Sequence, residues 1–432
     1  GLSYTEFERS DYKMTELPNG NYQLSFTTTN VGDYAGKDVM QVYLQKPYTE
    51  YDKEHNIEKA SVELVGFAKS EKLEKGESAT VTVEVDPYEF KTYDAYGEGS
   101  YILEKGDYYL TMASDAHEAI NNIIVEKDDS LKDDIVGSYV DGATYKVTVD
   151  KDDFTTYKTS PYTNKEVSNQ FNDTDLNLYE GTKDDQSITY LSRNNWNDTF
   201  PEPVVLDCVN DIMVHDMQYG DEVVANPEDE MPIYDTVTSS LGELKLIMLK
   251  DKDYDDELWD DLLNQMSKGE QEYLMSYGLH HIAGASSVRA PGAECKDGPA
   301  GLKENNPTLK TQMSFPSETL MAATFNAPLL EEVGEAFSHE ILHAGYTGIY
   351  GPGGCIHRSP YGGRNWEYFS EDGFLSGKLL ASEIKGLQSK GVIVFTKHFA
   401  LNDQETNRYG IATFANEQSI REIYLKPFEM AV

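Results

Sequence analysis

The spacing of the apolar residues changes along this chain, and that change constrains the fold more than any other feature. In residues 1–127, apolar and polar residues alternate in short runs, as at Tyr22, Leu24 and Phe26. A period of two is typical of half-buried β-strands, and turns rich in Gly, Asp, Asn and Pro separate the runs. The first part is therefore predicted to be an all-β sandwich. Its other strands are expected at 39–44, 79–85 and 108–112.

Residues 128–239 differ in composition, because Asp, Lys, Thr, Tyr and Asn dominate the part that follows residue 127. One run, 145–149, alternates as a strand would. The remainder has too few apolar residues to bury a core and is predicted to be a linker or surface insertion. A partner-binding or substrate-rim loop is the alternative.

From residue 240 onward, helical spacing alternates with short apolar strands. Helices are predicted over 255–277, over 371–390, and from the N-cap Asn326 to near Gly345. The first of these has Leu258, Leu262, Leu263, Met266 and Leu274 available for one buried face. Helix–strand alternation predicts a parallel α/β sheet or barrel, whose chemistry lies at the C-terminal ends of the strands. The strands are expected at 348–350 and 392–396.

Charge and cysteine content exclude several protein classes. With 76 acidic and 36 basic residues, the formal net charge is −40. Such a surface repels nucleic acid and anionic lipid, whereas it is compatible with a neutral sugar. Cys208, Cys295 and Cys355 form no CxxC pair and are too few for a disulfide framework. No apolar run is long enough to cross a bilayer. The compartment stays open between the cytoplasm and the secreted or cell-surface proteins of a bacterium.

Polar residues follow the predicted strands of the α/β part. Lys397 and His398 come directly after 392–396 and could hold sugar hydroxyls. A strand-end Lys and a hydrogen-bonded core His are the alternative. Asp297, in an Asp-Gly-Pro sequence, is either a turn former or an acceptor for two adjacent hydroxyls.

Arg364 lies on a glycine-rich loop and could donate two parallel hydrogen bonds to adjacent hydroxyls or to a carboxylate. The alternative is that Arg364 pairs with Glu367 or Glu371 and only supports the loop. The sequence pattern leaves both interpretations open.

A second motif indicates different chemistry. Residues 339–343, His-Glu-Ile-Leu-His, match the H-E-x-x-H pattern of zinc hydrolases, with Glu367 or Glu371 as a possible third ligand. The extended form of the motif fails, because Tyr346 and Ile349 stand where Gly and His are required. The match is interpreted as accidental, and a zinc hydrolase using His339, Glu340 and His343 is kept as an alternative.

Several longer segments occur in an order that resembles glycoside hydrolase family 3. In the second half they are Asp-Gly-Pro at 297–299, Ala-Ala-Thr-Phe-Asn at 322–326, Gly-Pro-Gly at 351–353, Gly-Arg-Asn-Trp-Glu at 363–367, Lys-His-Phe at 397–399 and Arg-Glu-Ile-Tyr-Leu-Lys-Pro-Phe at 421–428. Gly-Leu-Ser-Tyr-Thr at 1–5 and Gly-Asp-Tyr-Ala-Gly at 32–36 resemble the family's fibronectin type III-like domain. The resemblance covers roughly 1–125 and 240–432. Sandwich before barrel is the order of permuted members, and Gly373 replaces a usual proline.

The resemblance implies a multi-domain fold and an activity. The expected domains are an all-β fibronectin-III-like sandwich over 1–127, a linker or insertion over 128–239 and a partial α/β barrel of TIM type over 240–432. The expected activity is that of part of a retaining, exo-acting β-glucosidase, which removes terminal β-linked glucosyl residues from oligosaccharides or glycosides without a cofactor. A β-xylosidase or another family 3 glycosidase is one alternative, and a non-catalytic carbohydrate-binding or structural piece is another.

The resemblance also implies which residues bind the sugar. Positions matching Asp297, Arg364, Lys397, His398 and Arg408 hold the hydroxyls of the non-reducing-end sugar in family enzymes. Lys303 stands where an arginine often follows the Asp-Gly-Pro turn, and it lacks the fork geometry of a guanidinium.

No catalytic residue is assigned within the chain. Retaining glycosidases need two carboxyl groups about 5 Å apart. The nucleophile Asp and the acid/base Glu are expected in the remaining polypeptide or a second chain, on a strand after residue 432 and on a domain before residue 1. No nucleic-acid partner is expected, and a homo-oligomer stays open.

Overall fold

The computed structural model describes residues 3–175, 190–194, 231–303, 313–406, 408–409, 411 and 413–432. Cys208 and residues 176–189 and 195–230 of the region predicted as a linker lie outside the described residues. Cys295 and Cys355 are buried, free thiols. No described helix is long and apolar enough to span a membrane.

The first part of the chain forms two antiparallel sheets that share one core. The strands are β1 (Phe7–Glu16), β2 (Tyr22–Asn30), β3 (Val39–Gln45), β4 (Glu63–Lys69), β5 (Ser78–Val85), β8 (Gly106–Ala113) and β9 (Thr144–Val149), with a separate pair β6 (Thr92–Asp94) and β7 (Ser100–Ile102). One sheet has the strand order β1–β2–β5 and the other β4–β3–β8–β9. In β5 the alternation is clear, because Val81, Val83 and Val85 are buried while Thr82 and Glu84 are exposed.

Two features of this part differ from a pure sandwich over 1–127. Two helices, α1 (Glu50–Glu54) and α2 (Ala116–Lys127), lie within it, so the all-β prediction is wrong there. Asp115 caps the start of α2 by accepting a hydrogen bond from Glu118 N, which satisfies a free amide of its first turn. The run 145–149 is confirmed as a strand, since β9 pairs with β8. The sheet therefore continues past residue 127, although the domain boundary itself stays a prediction.

The second part is a four-stranded sheet covered by helices. Strands β11 (Ala293–Asp297), β12 (Gly348–Gly353) and β13 (Ile393–Lys397) are parallel, and β10 (His281–Ile282) pairs antiparallel with β11. Helices α6 (Ala327–His343) and α7 (Gly373–Gln388) pack against each other and against this sheet. The other helices are α3 (Leu258–Gln265), α4 (Lys268–Ser276), α5 (Glu318–Ala322), α8 (Glu417–Ser419) and α9 (Lys426–Ala431). The chain thus combines a β-rich part with a partial α/β part.

The helix predictions had mixed outcomes. The prediction for α6 is confirmed, since Asn326 caps its first turn and the helix ends before Gly345. The helix predicted over 371–390 begins instead at Gly373, because Asp372 is its N-cap. The single helix predicted over 255–277 is wrong. Met266 is extended there, and Ser267 starts a second helix with a capping box, so α3 and α4 are separate. Of the five residues assigned to one buried face, Leu263 and Leu274 are exposed.

An apolar contact joins the two parts. Phe67 of β4 makes edge-on contacts with Phe325 and with Phe374 of α7, at ring-centroid distances of 5.5 and 6.4 Å. These rings belong to a core cluster that also contains Tyr43, Leu64 and several residues of α7. The sandwich is therefore packed directly against the helical side of the α/β sheet.

Candidate active site

Three neighbouring parallel strands end at one edge of the sheet, and the last residues of the two outer ones, β11 and β13, line a cavity. Asp297 ends β11, Gly353 ends β12 and Lys397 ends β13. Because parallel strands place their carboxyl ends together, residues 100 positions apart in the chain meet here. The distance from Lys397 Nζ to Asp297 Oδ1 is 2.6 Å.

All six residues implied as sugar ligands line this one cavity, which has a volume of about 990 Å³ and is called the strand-end cavity below. The aromatic side chains of Phe315, Tyr350 and Trp366 line it too. A cavity with convergent polar groups and apolar walls is the usual form of a small-molecule site. The six are Asp297, Lys303, Arg364, Lys397, His398 and Arg408.

Glu367 connects the charged groups at the base of the cavity. It accepts two hydrogen bonds from Arg364, at 2.8 and 3.0 Å, and its Oε2 lies 3.2 Å from Lys397 Nζ. Its side chain is only 7% exposed. The alternative in which Arg364 pairs with Glu367 is therefore confirmed. Both residues line the strand-end cavity, so the pair is not confined to a separate loop.

The two carboxylates of this network are ionised at neutral pH. Burial alone would raise the pKa of Asp297, but the hydrogen bond and charge of Lys397 outweigh it, so the pKa lies below its ordinary value. Glu367 is also partly desolvated, yet Arg364 and Lys397 lower its pKa. Both side chains are thus permanent hydrogen-bond acceptors in the cavity.

His398 is a neutral side chain with one defined tautomer. Its Nε2 lies 2.8 Å from a guanidinium nitrogen of Arg364, which can only donate, so Nε2 is the accepting nitrogen. Nδ1 then carries the proton and donates to the hydroxyl oxygen of Tyr368 at 2.9 Å. Burial, together with Arg364 and Lys397, lowers the pKa of His398 to about 4.

The remaining two predicted ligands lie further from this network. Arg408 is 45% exposed and pairs with Glu405 at 3.3 Å, while Glu405 also lies 3.6 Å from Arg364. Lys303 is exposed, and its backbone N donates to Asp297 O. These two cations therefore border the cavity.

Sequence reasoning missed two parts of the network. Tyr368 contacts His398 and accepts a hydrogen bond from Asn402 at 2.6 Å, although Tyr368 lies 30 and 34 residues before these two in the sequence. Glu367 was considered only as a loop partner or a metal ligand. The one available signal was its position three residues after Arg364, which allows a pair but does not place Lys397 on the same carboxylate.

One of the two third ligands suggested for the zinc alternative, Glu367, has other partners. His339 and His343 are exposed on α6, whereas both oxygens of Glu367 bond to Arg364 and Lys397. Across the described ranges, no three His, Cys, Asp or Glu residues are grouped as a metal site requires.

Two family descriptions match segments of the chain. Residues 302–432 match the Glycosyl hydrolase family 3 N terminal domain. Residues 38–116 match the Fibronectin type III-like domain.

Relatives with known names align with the whole chain. "Beta-glucosidase A" of Butyrivibrio fibrisolvens is 29% identical over 467 residues, which cover 100% of this chain and 50% of that protein. "Beta-glucosidase" of Ruminococcus albus is 31% identical over 444 residues, covering 100% of this chain and 40% of that protein. This chain thus spans half or less of these relatives.

A solved structure supports the fold. The crystal structure of a beta-glucosidase from Paenibacillus barengoltzii has a TM-score of 0.63 to this chain at 23% identity, covering 100% of this chain and 43% of that one. The order of a β-rich part before an α/β part therefore occurs in a known fold.

Proposed function

We propose, because this chain belongs to glycosyl hydrolase family 3, that it holds the terminal glucosyl unit of a β-glucoside while that unit is hydrolysed. The observation that carries the proposal is the convergence of Asp297, Lys397 and Arg364 in one cavity with Glu367 between them. Each sugar hydroxyl both donates and accepts. A ring of fixed carboxylates and cations therefore suits vicinal hydroxyls.

The chemistry of hydrolysis is assigned to other parts of the polypeptide. A general acid needs a raised pKa, whereas those of Asp297 and Glu367 are lowered by the neighbouring cations. Neither residue is thus suited to protonate a leaving group at neutral pH. We assign the nucleophile Asp and the acid/base Glu of a retaining mechanism to regions that the relatives have beyond the matched half.

The same reasoning extends to the architecture. The three parallel strands β11, β12 and β13 of the described sheet are fewer than the eight parallel strands of a TIM-type barrel. We assign the sheet to a barrel that remaining polypeptide or a second chain completes, with domains over 1–127, 128–239 and 240–432. Association with a second copy of this chain and a preference for xylosyl units both stay predictions.

Loss of the Arg364 fork tests the sugar-binding assignment. In the polypeptide that contains this chain, Arg364→Ala should lower kcat/KM for an aryl β-glucoside roughly 100-fold, because it removes directed hydrogen bonds and leaves Glu367 partly unpaired. Lys385→Ala, an equal charge change on exposed α7 surface, is the matched control. Near-parental turnover of Arg364→Ala would contradict the assignment.

A further inference from the structure

Two carboxyl groups in the helices of the α/β part are fully buried. Glu318 begins α5 and is 0% exposed, and Glu383 lies in α7 and is 1% exposed. Both oxygens of Glu318 accept from the backbone N–H of Gly353, at 2.8 and 3.0 Å. Oε2 of Glu383 has no hydrogen-bond partner among the residues that the structure describes. Neither side chain has a part in sugar binding as proposed above.

The surroundings of this pair favour a bound proton. The charged groups that act on Glu318 are Glu383 from α7, Glu367 from the turn Asn365–Glu367 and Lys397 from β13. Burial, with Glu383 adding to it, raises the pKa of Glu318 well above its ordinary value, and burial raises the pKa of Glu383 to about 8. Two interacting carboxyl groups in a desolvated site cannot both ionise at neutral pH. The pair therefore keeps at least one proton.

Gly353 links the pair to the cavity. It is the cross-strand partner of Lys397, and the N–H of the next residue, Gly354, donates to Lys397 O at 2.6 Å. A Cβ atom at Gly353 would lie 1.9 Å from Glu367 O, so the backbone that carries Glu367 packs against the same glycine. Glu318 thus bonds Gly353, and both Lys397 and the backbone of Glu367 pack against Gly353.

The residue after Glu318 supports the same loop. Thr319 Oγ1 lies 3.0 Å from the carbonyl oxygens of both Asn365 and Tyr368, to which it can donate. The start of α5 therefore contacts both the end of β12 and the loop that carries Arg364 and Glu367. A shift of α5 would displace both sides of the network.

We propose that Glu318 is a positioning residue that carries a proton and holds Gly353, and through it Lys397 and Glu367, in place beside the strand-end cavity. The consequence for catalysis rests on the proposed function, since the residues held are its sugar ligands. The proton on Glu318 limits the negative charge behind Lys397, which leaves the ammonium group bonded to Asp297 and Glu367. Loss of that proton at alkaline pH places a further carboxylate near Lys397 and weakens its hold on the sugar.

The proton itself is tested on this chain without any assay of activity. Infrared spectra of the parent at pH 7 should contain the carbonyl band of a protonated carboxylic acid, which weakens as the pH is raised through about 8. The band should be weaker in the double variant Glu318→Gln/Glu383→Gln than in Glu332→Gln, a change on the exposed surface of α6. A parent spectrum without the band at pH 7 overturns the proposal, whether or not the double variant folds.

The positioning role is tested by separating KM from kcat in the polypeptide that contains this chain. Glu318→Ala should raise KM for an aryl β-glucoside about tenfold, while Glu318→Gln keeps an oxygen that accepts from Gly353 and should restore KM to within threefold. In Glu383→Gln, the alkaline fall of kcat/KM should move downward, because the charge of Glu383 no longer raises the pKa of Glu318. A parental KM in Glu318→Ala overturns the role. If the parent itself hydrolyses no glycoside, the proposed function fails, whereas the infrared result still decides the proton.

Discussion

The strand-end cavity and a second charged cavity of the same chain use ion pairs in opposite ways. The second cavity, called the interdomain cavity, has a volume of about 470 Å³ and lies between the sandwich and the α/β part. Lys426 pairs there with Glu89, and Lys46 pairs with Glu63 at 3.0 Å. In the strand-end cavity Asp297 and Lys397 come from the ends of parallel strands, whereas in the interdomain cavity the Lys426–Glu89 pair joins the two parts of the chain. Under the proposed function, the first arrangement orients groups toward a sugar, and the second holds two surfaces together.

In each cavity, burial and neighbouring cations lower the pKa of one basic side chain. Burial and the nearby Arg364 and Lys397 lower the pKa of His398, and burial with the nearby Lys426 lowers the pKa of Lys91 to about 8. A shifted pKa therefore does not identify a functional site on its own. The two side chains differ in their contacts, since Lys91 rests over the rings of Tyr88 and Tyr101, with Glu89 and Glu429 among the charges near it.

Removal of the central cation of the strand-end cavity should have the largest effect. In the polypeptide that contains this chain, Lys397→Ala leaves Asp297 without its 2.6 Å partner, and kcat/KM for an aryl β-glucoside should fall about 1,000-fold, equivalent to about 4 kcal/mol. Steady-state kinetics measure this loss. Parental kcat/KM in Lys397→Ala would place the strand-end cavity among the structural charge clusters.

The matching change in the interdomain cavity should act on stability instead. Lys426→Ala leaves Glu89 without its ion-pair partner, and the free energy of unfolding should fall by about 2 kcal/mol. Denaturant unfolding measures it, with Lys385→Ala on exposed surface as the control. The comparison would fail if Lys426→Ala were as stable as the control and instead lost turnover to the same degree as Lys397→Ala.

The pH dependence of stability can test the lowered pKa of Lys91. Because its pKa in the folded chain is about 8 against an ordinary 10.5, the unfolded chain binds more protons between these values. The free energy of unfolding should therefore rise with pH across that window, by at most about 1.4 kcal/mol per pH unit. Lys91→Met should lack this contribution, which is obtained as the difference between parent and variant unfolding curves from pH 7 to 10. Identical pH dependence in both proteins would mean that Lys91 keeps an ordinary pKa.

The smallest effect is expected at the rim of the strand-end cavity. Arg408 is 45% exposed and pairs only at 3.3 Å, so water screens its charge. Arg408→Ala should lower kcat/KM about fivefold, close to 1 kcal/mol. A loss as large as that of Lys397→Ala would move Arg408 from the rim to the centre of sugar binding.

Local sequence signals predicted those elements whose ends they mark. Asn326 before a proline and an apolar helical run fixed the start of α6, and the alternating β5 is half-buried as expected. The same reasoning failed at 255–277, because apolar spacing continued through Met266 and Ser267 while the capping chemistry of Ser267 and Glu270 divided the helix. Where caps and spacing disagreed, the cap determined the structure.

The order of motifs in the sequence identified the strand-end residues, and the rule that parallel strands end together explains why they meet. Asp297, Arg364, Lys397 and His398 were all available to such reasoning. Tyr368, which holds the tautomer of His398, was not, because a tyrosine 30 residues earlier carries no sign of that contact.

The sequence by itself determined the spacing of the apolar residues in each segment, the motifs at the strand ends and the excess of acidic residues. These are properties of neighbouring residues and of composition. Only the tertiary structure decided which charges became partners. Glu367 serves both Arg364 and Lys397, and Glu318 bonds the backbone of Gly353, since burial removes the water that would otherwise solvate each charge separately. Proton affinity and pairing then depend on distances between residues far apart in the chain, which no local pattern encodes.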